Sequence, residues 1–291
     1  MFVILGILIV FGAIAGGYLM EHGNFRVLLQ PAELVVIGGA AIGTILIGNP
    51  LSTIIRLFRQ SLSIFTGSKF TKNFYLENLK MLTELFGHAR KVGAAKLEAD
   101  VDAPEQSPVF SKYPAFLANH HALHFVCDTL RMHIGGTVEP FDLDQMMELD
   151  MEVHHRGMQE PAAALSTLAD GLPGLGIVAA VLGVVITMGA IGGPPEQIGQ
   201  KVAAALVGTF LGILLCYGLF GPLASNLTKI NEAEEQYYHF LRVGVLAFIK
   251  GASPLTAAEF ARRSIPSECR PDFNEMESAC RGGNAAAATA A

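Results

Sequence analysis

The chain has 291 residues, of which 51% are hydrophobic and 16% charged, with a formal net charge of −6. A modest negative charge spread over the polar stretches excludes nucleic acid as an implied partner. The four cysteines, Cys127, Cys216, Cys269 and Cys280, have no paired spacing, which argues against a disulfide framework and against a thiolate metal site.

The apolar residues are concentrated. Residues 1–20 carry no charged side chain, and the same holds for 34–55, 171–195 and 202–228. Each run is long enough to cross a bilayer, which takes roughly 20 apolar residues. The first lacks the basic start and small-residue cleavage site of a signal peptide, so it is read as a membrane helix. The second, 34–55, follows a short connection that holds Arg26 and Glu33, the latter placed at a helix end where solvation is easy.

Residues 56–170 form the long polar segment. LSTIIRLFRQSLSIF reads as an amphipathic helix leaving the membrane surface. Phe74, Leu79, Leu82 and Leu85 then keep a helical period within 72–100. Pro104, Pro108 and Pro114 make 101–114 a loop. Helices are predicted over about 116–134 and 143–160, the second opened by Asp142 with Gln145 at capping-box spacing. His120 and His124 stand four apart, with His121, His154 and His155 as further donors, but no acidic or cysteine partner completes a ligand set. Packed or solvated histidines are expected.

A third membrane helix over 171–192 and a fourth over 202–224 complete the plan. Both are crowded with small residues, Ala179 and Gly183 in one and Ala204, Gly208 and Gly212 in the other, so their backbones approach another helix closely, either within the chain or between subunits. Pro173 reads as a first-turn proline, whereas Pro222 lies inside an apolar run and frees the carbonyl of Gly218, predicting a bend. Residues 225–291 make a further helix over about 229–250 and a tail whose last run, RGGNAAAATAA, reads as unstructured.

The connections 21–33 and 193–201 hold only Arg26 and Lys201 as basic residues, against eleven in 56–170 and seven from 229 onward. Basic residues stay on the cytoplasmic side, so both termini and the long segment face the cytoplasm. The sequence therefore describes an all-α membrane protein, four transmembrane helices in two hairpins flanking a helical cytoplasmic domain.

Ion transport requires an ionisable group within the membrane, and none of the four helices has one near its centre. What remains inside are the hydroxyls of Thr44, Thr187, Thr209 and Tyr217. A titrating carboxylate would have to come from another polypeptide. By itself, Thr209 is expected to bond back to the carbonyl of Ala205. No nucleophile–base pair, phosphate loop or metal signature is present, so the chain reads as no enzyme and as one without a cofactor.

LPGLGIVAAVLGVV and VGTFLGILLCYGLFGPLA, joined by a short loop, resemble helices three and four of the MotA/PomA family of flagellar stator subunits. GGYLMEHGNFRVLLQPAELVVIGGAAIG resembles the first hairpin of the same family. The resemblance implies a homopentamer in the bacterial inner membrane around a MotB-type subunit that supplies the membrane aspartate, converting ion flow into torque on the rotor protein FliG. It further implies that Arg90 and Glu98 engage the rotor, and that Pro173 and Pro222 couple protonation to shape. Thr209 would lie beside the ion-carrying aspartate, with Asp170 at the channel mouth and Asp150 on the cytoplasmic side, where many relatives have Glu. Ala180 stands where sodium-driven relatives carry Thr, and a methyl offers no oxygen to a dehydrated cation, so the proton is the implied ion. An ExbB/TolQ-like energy transducer and a non-conducting scaffold are the alternatives.

Overall fold

The computed structural model describes residues 2–189, 191–192 and 194–288, with side chains through Arg281, and its regular structure over these residues is helical. Two compact units are separable, Met1–Gly67 with Met158–Ile230, and Ser68–Gly157 with Asn231–Ala291.

In the first unit α1 (Phe2–Met20) is followed by a short turn α2 (Phe25–Leu28) and by α3 (Pro31–Gly48). α3 starts earlier and ends earlier than the predicted span 34–55. Pro31 opens its first turn, while Pro50 forbids helical backbone at Asn49, which is extended at φ −135° and ψ 143°. The amphipathic run then forms a separate helix, α4 (Leu51–Thr66). Thr53 and Arg56 on α4 both hydrogen-bond Glu160, at 3.2 and 2.5 Å.

The two remaining spans belong to long helices. After the four helices over 72–134, which lie in the second unit, comes α9 (Pro140–Met188), and α10 (Pro195–Leu215) follows it. The predicted start at 143 is corrected: Pro140 begins α9, the Leu143 N–H donates to the Glu139 carbonyl, and Asp142 lies inside the first turn, where an acidic group favours the helix dipole. Pro173 is likewise no first-turn residue. It lies in the interior of α9, as does Pro161, because the helix runs unbroken from the polar segment into the apolar one.

After α10, residues Cys216–Phe220 form one π-helical turn before α11 (Gly221–Ile249). This is how the chain answers Pro222. The proline cannot donate to Gly218, and the turn widens so that the Gly221 N–H donates to the Cys216 carbonyl.

The second unit holds α5 (Lys72–Val92), α6 (Ala94–Asp102), α7 (Pro114–Leu117), α8 (His120–Ile134), α12 (Pro254–Ser264) and α13 (Phe273–Ala288). Thr71 caps α5 by accepting the Phe74 N–H, and Asn119 caps α8 by accepting that of Ala122. The proline-rich stretch is two 3-10 turns, Pro104–Gln106 and Phe110–Lys112. Its core is aromatic: Phe86 and Phe248 stack at 4.5 Å, Tyr75 and Phe240 meet edge to face at 5.4 Å, and the Tyr237 hydroxyl donates to Asn78 Oδ1 at 2.8 Å. Burying each such ring stabilises the unit by roughly 1.5–3 kcal/mol. The tail predicted as unstructured continues α13 to Ala288, since alanine is the strongest helix former; residues 289–291 of that run lie outside the described residues.

Candidate functional site

α9 and α10 meet through glycine. A Cβ placed on Gly212 would lie 2.6 Å from the Leu172 carbonyl and 2.9 Å from the Gly176 Cα, and one on Gly183 would lie 2.6 Å from the Ala205 Cβ. A Cβ on Gly176 would meet the Gly208 carbonyl at 2.8 Å and the Thr209 Cα at 3.3 Å. The small residues thus serve packing within one chain, with Ala205 rather than Ala204 as the member that fits against Gly183. Neither element has Asp, Glu, Lys, Arg or His from Gly171 to Met188 or from Val202 to Leu215.

Close approach leaves few polar groups on this helix pair. Thr187 on α9, like Thr44 on α3, turns its hydroxyl back to a carbonyl, that of Gly183 at 2.8 Å, with Thr44 on Ala41 at 2.9 Å. Thr209 does not do the same. Its hydroxyl has no hydrogen-bond partner among the described residues, contrary to the expected bond to Ala205, although Thr44, Thr167, Thr187 and Thr228 all bond back to helix carbonyls. Thr209 is half-buried and one position beyond Gly208, which abuts the Ala180 backbone nitrogen at 3.2 Å from its Cβ position. Both residues thus lie at the α9–α10 seam, the Thr209 Cα 3.3 Å from the Cβ position of Gly176 and the Ala180 nitrogen at Gly208.

Other expected residues lie apart from them. Pro173 is half-buried and Asp170 exposed on α9. Pro222 is exposed and borders a cavity of about 310 Å³ with Phe2, Gly6, Val10 and Gly218. Asp150 is exposed in the second unit and lines a cavity of about 370 Å³ with His121, His124 and Asp128.

Arg90 and Glu98 do not share a helix. Gly93 has φ +77°, a left-handed conformation natural to glycine, and it ends α5 before α6 begins, so a separation of two helical turns does not apply. Arg90 donates to the carbonyls of Gly251 and Ala252, both at 2.9 Å, which satisfies the turn after α11. Glu98 is exposed and forms no ion pair or hydrogen bond among the described residues.

The histidines pack rather than ligate. His121 and His154 lie with ring centroids 3.7 Å apart, and Tyr238 stands edge-on to both at 5.0 and 4.9 Å. Burial lowers the His154 pKa to about 4, with His121, His155 and Lys69 adding to the effect. Among the described residues no group of three or more His, Cys, Asp or Glu could hold a metal ion.

Sequence reasoning missed Glu33. Only 8% of its surface is exposed, and its Oε2 is buried without a hydrogen-bond partner, 2.7 Å from the Cβ position of Gly208. The signal was available: a carboxylate two residues after Pro31, with no further charged residue until Arg56.

Four helices long and apolar enough to cross a membrane, a glycine-packed pair without charge and a separate helical unit define a multi-pass membrane protein. The motility protein A N-terminal family matches residues 4–93, and the MotA/TolQ/ExbB proton channel family matches residues 118–239. The chain is 39% identical to motility protein A of Escherichia coli over 95% of this chain and 94% of that one. It is 34% identical to chemotaxis protein LafT of Vibrio parahaemolyticus over 94% and 96%. In fold it is similar to the structure of C. jejuni MotAB, with a TM-score of 0.74, 17% identity and coverage of 91% and 96%. The flagellar MotAB stator complex from Bacillus subtilis gives a TM-score of 0.71 at 24% identity, covering 88% and 92%. The chain belongs to the motility protein A family, and accordingly is a flagellar stator subunit and not an enzyme.

Proposed function

We propose that this subunit works with a MotB-type partner in the bacterial inner membrane, with both termini in the cytoplasm, and that proton flow through the complex turns a pentamer of this chain against the rotor protein FliG. The observation that carries the reading is the α9–α10 pair: it is packed through glycine, bears no charge across the membrane, and has on α10 a Thr209 hydroxyl without a hydrogen-bond partner among the described residues. Such a pair offers a polar contact to a titrating group and supplies none itself. The partner's aspartate fits that need, and the methyl of Ala180 favours a proton over a coordinated cation.

Pro173 inside α9 and Pro222 in the first turn of α11 lack a backbone donor next to the apolar segments, and they let the helices change curvature when the partner's charge changes. Asp170 marks the mouth of the path. Glu98, exposed and without an ion pair among the described residues, is available to a rotor cation, with Arg90 the companion cation for a rotor anion. The match over residues 4–93 to the motility-specific family favours this reading over a TolQ- or ExbB-like transducer.

The test is swimming speed of cells carrying the chain with its MotB-type partner, as external sodium is varied at fixed pH and an uncoupler is then added. Speed indifferent to sodium and abolished by uncoupler is expected. A speed that climbs with sodium overturns the proton assignment, and absence of motility with the partner assembled overturns the motor.

A further inference from the structure

We infer that Glu33 is a second proton-holding group of the ion path, contributed by this chain itself and placed on the first turn of α3 at Gly208 of α10. The inference rests on the channel reading above.

Glu33 is on the first turn of α3, where a carboxylate ordinarily points to solvent or back to the helix cap. Here the Gln30 side of the turn is left without that reciprocal bond, and the side chain reaches across to α10 instead. Its Oε2 lies 2.7 Å from the position a Gly208 Cβ would take, a notch that the Ala179 methyl and the Ala180 backbone nitrogen also border at 3.1 and 3.2 Å from the same position. The residue is 8% exposed and that oxygen has no hydrogen-bond partner.

Among the described residues no cation forms an ion pair with Glu33. α9 is without charged residues from Gly171 to Met188, and α10 from Val202 to Leu215. The charged groups of the adjoining segments are Glu21, His22, Arg26 and Glu196, all exposed, and Lys201, half-buried at the start of the apolar part of α10. A carboxylate enclosed without a partner is costly as an anion, so the packed arrangement suits the protonated acid. Thr209, whose hydroxyl is free to accept and donate, is the residue next to Gly208. A group in this position takes a proton from hydronium, releasing water, and returns to carboxylate when the proton passes to the partner's carboxylate, directly or through the Thr209 hydroxyl. No oxidant or further reactant enters.

The structural alternative is that Glu33 merely fills the notch, and Glu33→Gln separates the two, since it keeps shape and hydrogen-bonding capacity but cannot exchange a proton. With the partner assembled to unaltered levels, Glu33→Gln is expected to cut swimming speed at least about tenfold, in line with what a positioned proton-transfer group contributes, while Glu33→Asp retains a measurable part of it. Glu33→Gln swimming at unaltered speed overturns the proposal. A second measurement needs no variant: an apolar carbodiimide, which reacts with protonated carboxyls, is applied to the intact complex in vesicles and the Glu33 peptide read by mass spectrometry. Labelling that rises as outer pH falls is expected; a Glu33 unlabelled at every pH, in samples whose partner aspartate is labelled, overturns the proposal. Motility of the unaltered chain that resists uncoupler would sink the channel reading first, and this inference with it.

Discussion

The two units bury their helices by opposite means. In the membrane unit α9 and α10 are held by Gly176, Gly183, Gly208 and Gly212, whose missing side chains let one backbone touch the other. In the second unit Tyr75, Phe86, Phe110, Tyr237 and Phe240 fill the space between helices, each with 1% or less of its surface exposed. The difference follows from the solvent. Water drives large apolar side chains together, so the second unit gains by burying rings. Lipid tails are as apolar as leucine and give no such drive, so contact there comes from backbone proximity, and large apolar residues such as Val185 and Ile186 stay on the outside, at 63% and 64% exposed.

That contrast can be broken most severely at Gly212. Gly212→Leu would drive a side chain into the Leu172 carbonyl, already 2.6 Å from the Cβ position, and we expect the chain to be lost from the membrane fraction and motility abolished. Quantitative blotting of membranes reads the first effect. Phe240→Ala attacks the other unit, where a fully buried ring is removed; a loss of about 3–5 kcal/mol is expected, read as a lower midpoint in denaturant for the purified complex.

Arg90 and Glu98 sharpen the comparison between structural and functional charge. Arg90→Ala removes the donor from two carbonyls at the surface and should cost about 0.5–1.5 kcal/mol of stability as well as motility. Glu98→Lys should leave the midpoint unchanged while impairing swimming. Equal midpoints for both variants would remove the structural role assigned to Arg90.

The smaller effects concern pH and a glycine that touches nothing. His154 has a folded pKa of about 4, below the ordinary value of 6.5, so the unfolded chain binds more protons between those values. Stability is then complete above pH 6.5 and lost as pH falls toward 4. Hydrogen exchange of the intact chain across that range should show earlier opening around α8 and the start of α9, and His154→Phe should flatten the dependence. Gly39→Ala, where a Cβ would meet nothing within 4 Å, should leave the fold of the chain intact.

Much of this could be read from residues alone. The Phe2–Met20 span, the small-residue pair and the weakness at Pro222 all follow from local composition, because hydropathy and a missing N–H act at the residue that carries them. Boundaries were less legible: Pro50 cut the second span short, and Pro140 started α9 earlier than the capping pattern at Asp142, since two local signals competed and backbone sterics won. At the candidate site the sequence pointed to Thr209 and Ala180 only through a family resemblance, and it passed over Glu33 by treating the end of a span as solvated.

The sequence by itself determined which segments enter lipid, how many there are, and that the pair α9 and α10 brings no charge of its own across it. Those are one-dimensional properties, sums of transfer energies along consecutive residues. Only the tertiary structure decided that the glycines pack within the chain, that Thr209 keeps its hydroxyl free, that Gly93 separates Arg90 from Glu98, and that the Glu33 carboxyl lies in the notch of Gly208. Each depends on which distant backbone comes within a few ångströms of a given atom, and no local pattern encodes that.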